Sequence, residues 1–249
     1  MYKGLFSCEG KVALITGGNG LIGRELARGL AEHGARVVVG DLERRRQSAA
    51  GFVRLDIGSE RSVASALARV AGKYGAVDIL VNCAYPRTRD WGAKLEDIPF
   101  SSWKENVNDH LGGYFLTCRL AAELMRRRGG GSIINLGSIY GVAAPDFSIY
   151  EGTGMTMPAA YSAIKAGLLG LTRYMASYYG SFNVRANCVS PGGVLDGQPR
   201  RFVKKYCSKV PQGRMASPGD IVGAVVFLAS EASSYVTGQN IVVDGGFTI

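Results

Sequence analysis

The chain has 249 residues, 47% of them hydrophobic, and its 29 Lys+Arg against 20 Asp+Glu give a formal net charge of +9. That length suits one α/β domain with a sizeable core, and the longest apolar runs fall far short of the ~20 residues of a membrane span. The cysteines Cys8, Cys83, Cys118, Cys188 and Cys207 form no C-x-x-C pair, and with only His33 and His110 as histidines no metal site is expected. Strand-like and helix-like segments alternate from the start. Lys11–Thr16 is a short β-branched run ahead of the stretch ITGGNGLIGRE, and Leu21–His33 has helical apolar spacing. Arg36–Gly40 is a second buried-type strand running into Asp41; a short basic stretch, with room only for an abbreviated helix, leads to a third near Phe52–Leu55. Ser59–Tyr74 is a helix opened by a Ser cap, and Val77–Asn82 another apolar strand. Ser101–Arg128 reads as one long helix ending in the turn Arg126–Gly131, followed by the strand Ser132–Leu136. Pro158–Gly180 is a helix with Pro at its first position. The strand Val184–Val189, a helix from about Gly219 to Ser230 and the strand Gln239–Val243 complete the chain.

This alternation predicts a parallel sheet with helices on both faces, joined by right-handed crossovers. Ligands then bind beyond the carboxyl ends of the strands, just after Thr16, Gly40, Asn82, Leu136 and Val189. After the first strand, Gly18-x-Gly20-x-x-Gly23 fits the dinucleotide fingerprint, while Thr16-Gly17 with Gly23 fits a second glycine pattern in which Leu21 replaces a glycine. Bare backbone there can approach a pyrophosphate at a helix N-terminus; a tight turn with no ligand is the ordinary alternative. Asp41, about twenty residues further on, is placed to accept from adenosine ribose hydroxyls and to repel a 2′-phosphate, which favours NAD over NADP, although Arg44–Arg46 soften the repulsion. Tyr161 and Lys165 lie four apart in a helix and share a face. A free phenol, pKa about 10, is a poor base near neutrality, and an adjacent ammonium favours its phenolate. Ser138, just past a strand, is placed to hold a reacting oxygen.

Thr16-Gly17…Gly23, Asp41, Asp56-Ile57, Asn82-Cys83-Ala84, Ser138, Tyr161-x-x-x-Lys165, Pro191-Gly192 and the closing VTGQNIVVDGG together resemble the short-chain dehydrogenase/reductase family, from about Lys11 to Gly246. The resemblance implies a single Rossmann-type domain, a doubly wound seven-stranded parallel sheet, a nicotinamide cofactor, and a homotetramer or homodimer. It implies catalysis by Ser138, Tyr161 and Lys165, with Tyr161 as acid/base and Lys165 as its pKa modulator and ribose anchor. Its cofactor contacts fall on Gly17, Asn19, Gly20, Leu21, Ile22 and Gly23 in the phosphate loop and on Asp41, Asp56 and Ile57 beyond the second and third strands. Asn82, Ala84, Tyr161, Lys165, Pro191, Gly192 and Val194 complete that set.

Three positions depart from the pattern. The family's catalytic Asn falls on His110, counted seven residues on from Trp103 and five back from Phe115. Asn108 is turned roughly 200° around the helix and is no substitute. His110 either holds a water that relays protons from Lys165 or marks a helix kink without a part in turnover. Tyr85 stands where Asn-Asn-Ala-Gly ends in glycine and puts bulk beside the cofactor. A long insertion at about 143–159, APDFSIYEGTGMTMPAA within and just beyond it, and a loop at about 192–216 are expected to shape the substrate site.

The leading expectation is an NAD-dependent oxidoreductase interconverting a secondary alcohol and a ketone. NVNDHLGGYF, SIYGVAAPDFSIYEGTGMTMP and SPGGVLDGQP resemble a subgroup from bacterial flagellin- and surface-glycan modification, including sialic-acid-like sugars, which points to a sugar or sugar-phosphate. The competitors are a ketoacyl-carrier-protein reductase and a non-catalytic NAD sensor or scaffold. Basic residues at Arg87, Arg89, Arg200, Arg201, Lys204 and Lys205 raise an anionic substrate against plain solvated loops. Without a nucleic-acid motif the charge predicts no nucleic-acid partner. The amino terminus lacks a secretory pattern, and scattered cysteines imply reduced thiols, so a cytoplasmic, membrane-free protein is expected.

Overall fold

The computed structural model describes residues 4–45 and 51–249, so Arg46, invoked beside Asp41, lies outside the described residues. Seven parallel strands run β1 (Val12–Thr16), β2 (Arg36–Asp41), β3 (Gly51–Arg54), β4 (Ile79–Asn82), β5 (Gly131–Leu136), β6 (Val184–Pro191) and β7 (Asn240–Val243). Their order in the sheet is β3-β2-β1-β4-β5-β6-β7. The chain builds outward from β1 to one edge, then returns to β1's other side, so the switch in strand order opens a crevice between the ends of β1 and β4.

Alternation along each strand divides the core. Val12 and Leu14 of β1 face one layer with Leu80 and Ile133, under α2 (Glu60–Tyr74), α4 (Gly113–Arg127) and α5 (Ala159–Tyr179). Ala13 and Ile15 face the other with Val81 and Ile134, under α1 (Leu21–Glu32) and α7 (Val222–Ala229). This is why the strands read as unbroken apolar runs: both faces are covered. Ser59 caps α2, its hydroxyl accepting from the Ser62 N–H at 3.3 Å. Pro158 precedes α5 as its cap, one residue outside the position the sequence suggested.

Two local features depart from the sequence-based expectation. The long helix before β5 is interrupted: α3 (Phe100–Asn106) passes into a π-helical turn at Val107–Gly112 before α4 resumes. A π turn admits an extra residue into the helix, and such bulges occur often at functional sites. A further helix, α6 (Arg200–Cys207), lies in what the sequence presented as a basic loop. It buries Phe202 and Tyr206, two apolar positions among basic ones, against Ile149 and Tyr150 of the inserted stretch. That pairing makes a small second core above the sheet's carboxyl edge.

Candidate active site

The glycine loop is shaped by close backbone approach. Gly17 has φ +64°, and a Cβ there would stand 2.6 Å from the Ala84 Cα; at Gly23 it would stand 2.4 Å from the Gly17 carbonyl. Only glycine permits either contact. Gly20 opens α1 without a side-chain cap, so the N–H groups of Leu21, Ile22 and Gly23 remain free at the positive end of the helix. The Asp41 carboxylate is tied to this loop: Oδ2 accepts the Asn19 N–H and Oδ1 the Leu42 N–H, both at 2.9 Å. Asn19 in turn donates Nδ2–H to the Glu43 carbonyl at 2.6 Å. A side-chain-free cradle, open helix donors and an acid held at the adjacent strand end fit a dinucleotide.

Around that cradle, Asp56 accepts the Gly58 N–H at 3.0 Å and stands exposed past β3, while Ile57 is buried against Gly113. Pro191 ends β6, and Gly192 and Val194 follow it; the Gly192 N–H donates to the Val243 carbonyl at 2.9 Å, and Val194 bridges to Ala216.

Asn82 has a different surrounding from a ligand-facing one. Its side chain is buried, donating to the Asn135 Oδ1 at 2.9 Å and the Cys118 Sγ at 3.2 Å, and accepting from the Thr117 hydroxyl at 2.8 Å and the Thr16 hydroxyl at 3.5 Å. The Asn135 amide passes the chain on to the Thr172 hydroxyl at 2.9 Å. With both donors and both lone pairs engaged, the Asn82 amide ties β1, β4, β5 and α4 together, reaching α5 only through Asn135, so its side chain has nothing left for a ligand. Asn82→Ala should therefore cost ~2–4 kcal/mol by orphaning buried partners, which denaturant melting of the cofactor-free protein measures; an unchanged midpoint would show that water takes over these bonds.

Ser138, Tyr161, Lys165 and His110 come together at the ends of β5 and α5. Ser138 is buried, its Oγ accepting the Tyr140 N–H at 3.1 Å. Burial pushes the Tyr161 phenol up, and the neighbouring Ser138 hydroxyl draws it back. Lys165 is buried with Nζ 5.5 Å from the Tyr161 ring centre, donating to the Leu136 carbonyl at 2.6 Å. Removal from water brings its pKa down to about 8. His110 sits in the π turn with Nε2 3.5 Å from the Lys165 Nζ, and its Nδ1 has no hydrogen-bond partner among the described residues. Burial, then the Lys165 charge, holds its imidazole well below the usual range, so it is neutral. The structure thus unites in one cluster the four residues that the sequence spread over 55 positions, from His110 to Lys165.

Over residues 19–248 the chain matches the family model described as enoyl-(acyl carrier protein) reductase. A crystal structure of a short-chain dehydrogenase from Leptospira borgpetersenii with bound NAD+ is 37% identical and superposes with a TM-score of 0.89, covering 97% of this chain and 94% of that one. The chain belongs to the short-chain dehydrogenase/reductase family. A gluconate 5-dehydrogenase from Burkholderia cenocepacia in complex with NADP and tartrate is 32% identical, with a TM-score of 0.87 over 98% of this chain and 97% of that one. The post-translational flagellin modification protein A of Campylobacter coli is 34% identical, covering 96% of this chain and 98% of the relative. As a short-chain dehydrogenase/reductase, the protein is an NAD(P)-dependent enzyme of the alcohol–ketone pair. No helix among the described residues is long and apolar enough to cross a membrane.

Two features of this family member escaped the sequence. Two of the basic residues weighed as an anion site or solvated loops are engaged within the fold: Lys205 donates to the Ser148 carbonyl at 2.7 Å and pairs with Glu151, and the Arg201 guanidinium lies against Gly152, while the nearby Lys209 pairs with Asp146. These cations fasten α6 to the insertion. Trp91 also joins the site, edge-on to Tyr161 at 6.2 Å between centroids; a single Trp in an irregular loop carries no periodicity that would have signalled it.

Proposed function

We propose that this enzyme prefers NAD and interconverts a secondary alcohol and a ketone on a sugar or sugar-phosphate. The observation that carries the reading is the Ser138–Tyr161–Lys165–His110 cluster at the strand ends, beside the glycine cradle. Bound nicotinamide supplies or accepts the hydride. Tyr161 transfers the proton at the reacting oxygen, and Ser138 holds that oxygen by hydrogen bond. Lys165, fixed by the Leu136 carbonyl, keeps a cation beside the phenol and anchors the ribose. His110, neutral and in reach of Lys165, takes the place of the family's Asn and holds the relaying water through its free Nδ1. Gly17, Gly20, Gly23 and the first N–H groups of α1 hold the pyrophosphate. Asp41 and Asp56 meet the adenosine half, while Ala84, Pro191, Gly192 and Val194 line the nicotinamide half.

Asp41 supports NAD, because its carboxylate, held at the end of β2 beside the glycine loop, would accept from ribose hydroxyls and repel a 2′-phosphate. The two solved relatives divide on this point, one with NAD+ and the other with NADP. Steady-state assays with both cofactors should favour NAD, and Asp41→Ala should narrow the gap about tenfold by removing one ribose acceptor and one repelling charge. A wild-type preference for NADP would overturn the assignment. The flagellin-modification relative and the tartrate-bound gluconate dehydrogenase support a polyhydroxylated substrate, and the insertion at 143–159 with α6 would cover it. We further expect an assembly of two or four copies working in the cytoplasm. A second reading, reduction of a ketoacyl group on an acidic carrier, draws on the matched family description and the +9 charge; turnover on a panel of sugars and of ketoacyl thioesters separates the two.

A further inference from the structure

The loop after β4 carries two aromatic rings that none of these roles uses. Tyr85, in the place of the family's glycine, stands edge-on to Tyr161 (5.8 Å, 84°) and to His110 (5.4 Å, 72°). Trp91 stands edge-on to the same Tyr161 ring (6.2 Å, 83°) and to Tyr85 (5.7 Å, 86°). The Trp91 Nε1–H donates to the Tyr85 hydroxyl at 2.8 Å, locking the two rings as a unit. Their loop is pinned from beneath. The buried Asn106 accepts the Thr88 N–H at 3.0 Å and donates to its hydroxyl at 2.8 Å, and the Ser102 hydroxyl donates to Asp90 at 2.6 Å. Tyr85 remains 44% exposed, with the Arg87 guanidinium over its ring at 5.5 Å from the centroid. A braced, partly uncovered aromatic pair is thus held against the ring of the residue assigned to proton transfer.

We propose that Trp91, braced by the perpendicular Tyr85 ring, is a fixed aromatic wall that binds the face of a saturated six-membered ring and presents its secondary alcohol or ketone carbon to Tyr161. Aromatic faces are electronegative, and ring C–H groups next to oxygen-bearing carbons are slightly positive, so a ring face lies on the wall with attraction as well as apolar contact. An open chain offers no such face and loses rotor freedom on ordering. The lone pair of Tyr85 that receives the indole N–H leaves its own O–H free to donate to a neighbouring ring oxygen or hydroxyl. The proposal rests on the alcohol–ketone chemistry and on Tyr161 as its centre, but not on the ring being a sugar.

The test uses the NAD-loaded wild type, Trp91→Ala and Tyr85→Phe. Dissociation constants come from ligand-detected NMR, which needs no turnover, for cyclohexane-1,2-diol, a methyl pyranoside and the open-chain hexane-2,3-diol. The wild type should bind a cyclic ligand more tightly than the open chain. Trp91→Ala should weaken that cyclic ligand about tenfold while the open chain shifts less than about twofold. Tyr85→Phe, which keeps the ring but loses the hydroxyl that holds Trp91 and donates to the ligand, should weaken the cyclic ligand less than Trp91→Ala does. Where turnover is seen, the Trp91→Ala loss should fall on KM rather than kcat. Preference for cyclohexanediol with the pyranoside rejected would uphold the wall and remove the sugar assignment. No cyclic preference in the wild type, or equal weakening of both classes in Trp91→Ala, would overturn the wall whatever the enzyme's substrate proves to be.

Discussion

Tyr161→Phe should lower kcat by ~10²–10⁴-fold, the usual worth of a positioned acid–base group, while NAD affinity changes less than about twofold. The substitution keeps the ring that packs edge-on against Tyr85 and Trp91 and removes only the hydroxyl. Tyr161 as a residue is half-buried, its phenol pushed up by desolvation and drawn back by Ser138. On the proposed mechanism, the Lys165 cation and bound, positively charged nicotinamide would favour release of its proton near neutrality. Reduced-cofactor absorbance measures turnover, and cofactor fluorescence titration measures binding. Near wild-type turnover in the variant would remove Tyr161 from proton transfer.

Lys165→Met should be equally inactive but more stable at neutral pH. The ordinary lysine pKa of 10.5 falls to about 8 in the folded protein because the ammonium is buried. Below about pH 8 both folded and unfolded chains carry the proton, and the fold bears the whole cost, ~3 kcal/mol at about 1.4 kcal/mol per unit. Between about 8 and 10.5 the unfolded chain binds a proton that the folded chain has released, so wild-type stability rises with pH across that window. Methionine removes the buried charge but leaves the Leu136 carbonyl without its 2.6 Å donor, which returns ~1–2 kcal/mol of the gain. Urea denaturation of the cofactor-free proteins should show the variant ahead by ~1–2 kcal/mol at neutral pH, with the lead shrinking toward pH ~10. A variant less stable at neutral pH would mean that the contacts to Leu136 and His110 outweigh desolvation. The prediction casts Lys165 as a residue kept for catalysis at the expense of the fold.

Much of the candidate site was legible because its chemistry is local. Gly17 and Gly23 reveal themselves by lacking side chains where two backbones meet, Tyr161 and Lys165 by a four-residue spacing that any α-helix turns into a shared face. His110 was visible as a counted position between Trp103 and Phe115. The π turn that carries it was not, since one additional residue in a helix leaves the apolar spacing nearly unchanged. Asn82 stood in the cofactor motif, yet its amide proved to be spent on partners from Thr16, Thr117, Cys118 and Asn135, none of them adjacent in sequence. The helix α6 was missed because a run of basic residues masks two apolar ones whose burial depends on the insertion lying across them.

By itself, then, the sequence determined the alternation of strand and helix, the parallel sheet, the order of motifs along its carboxyl edge and the family resemblance. These follow from periodicity and spacing, which act over a turn or two of chain. Tertiary structure alone decided what each polar group has left to give. Asn82 is consumed within the sheet, Lys205 is drawn to Ser148 and Glu151, Trp91 is brought from a loop to the Tyr161 ring, and Lys165 is stripped of water. Hydrogen-bond capacity, desolvation and ring contact depend on neighbours distant in the chain, and only folding chooses those neighbours.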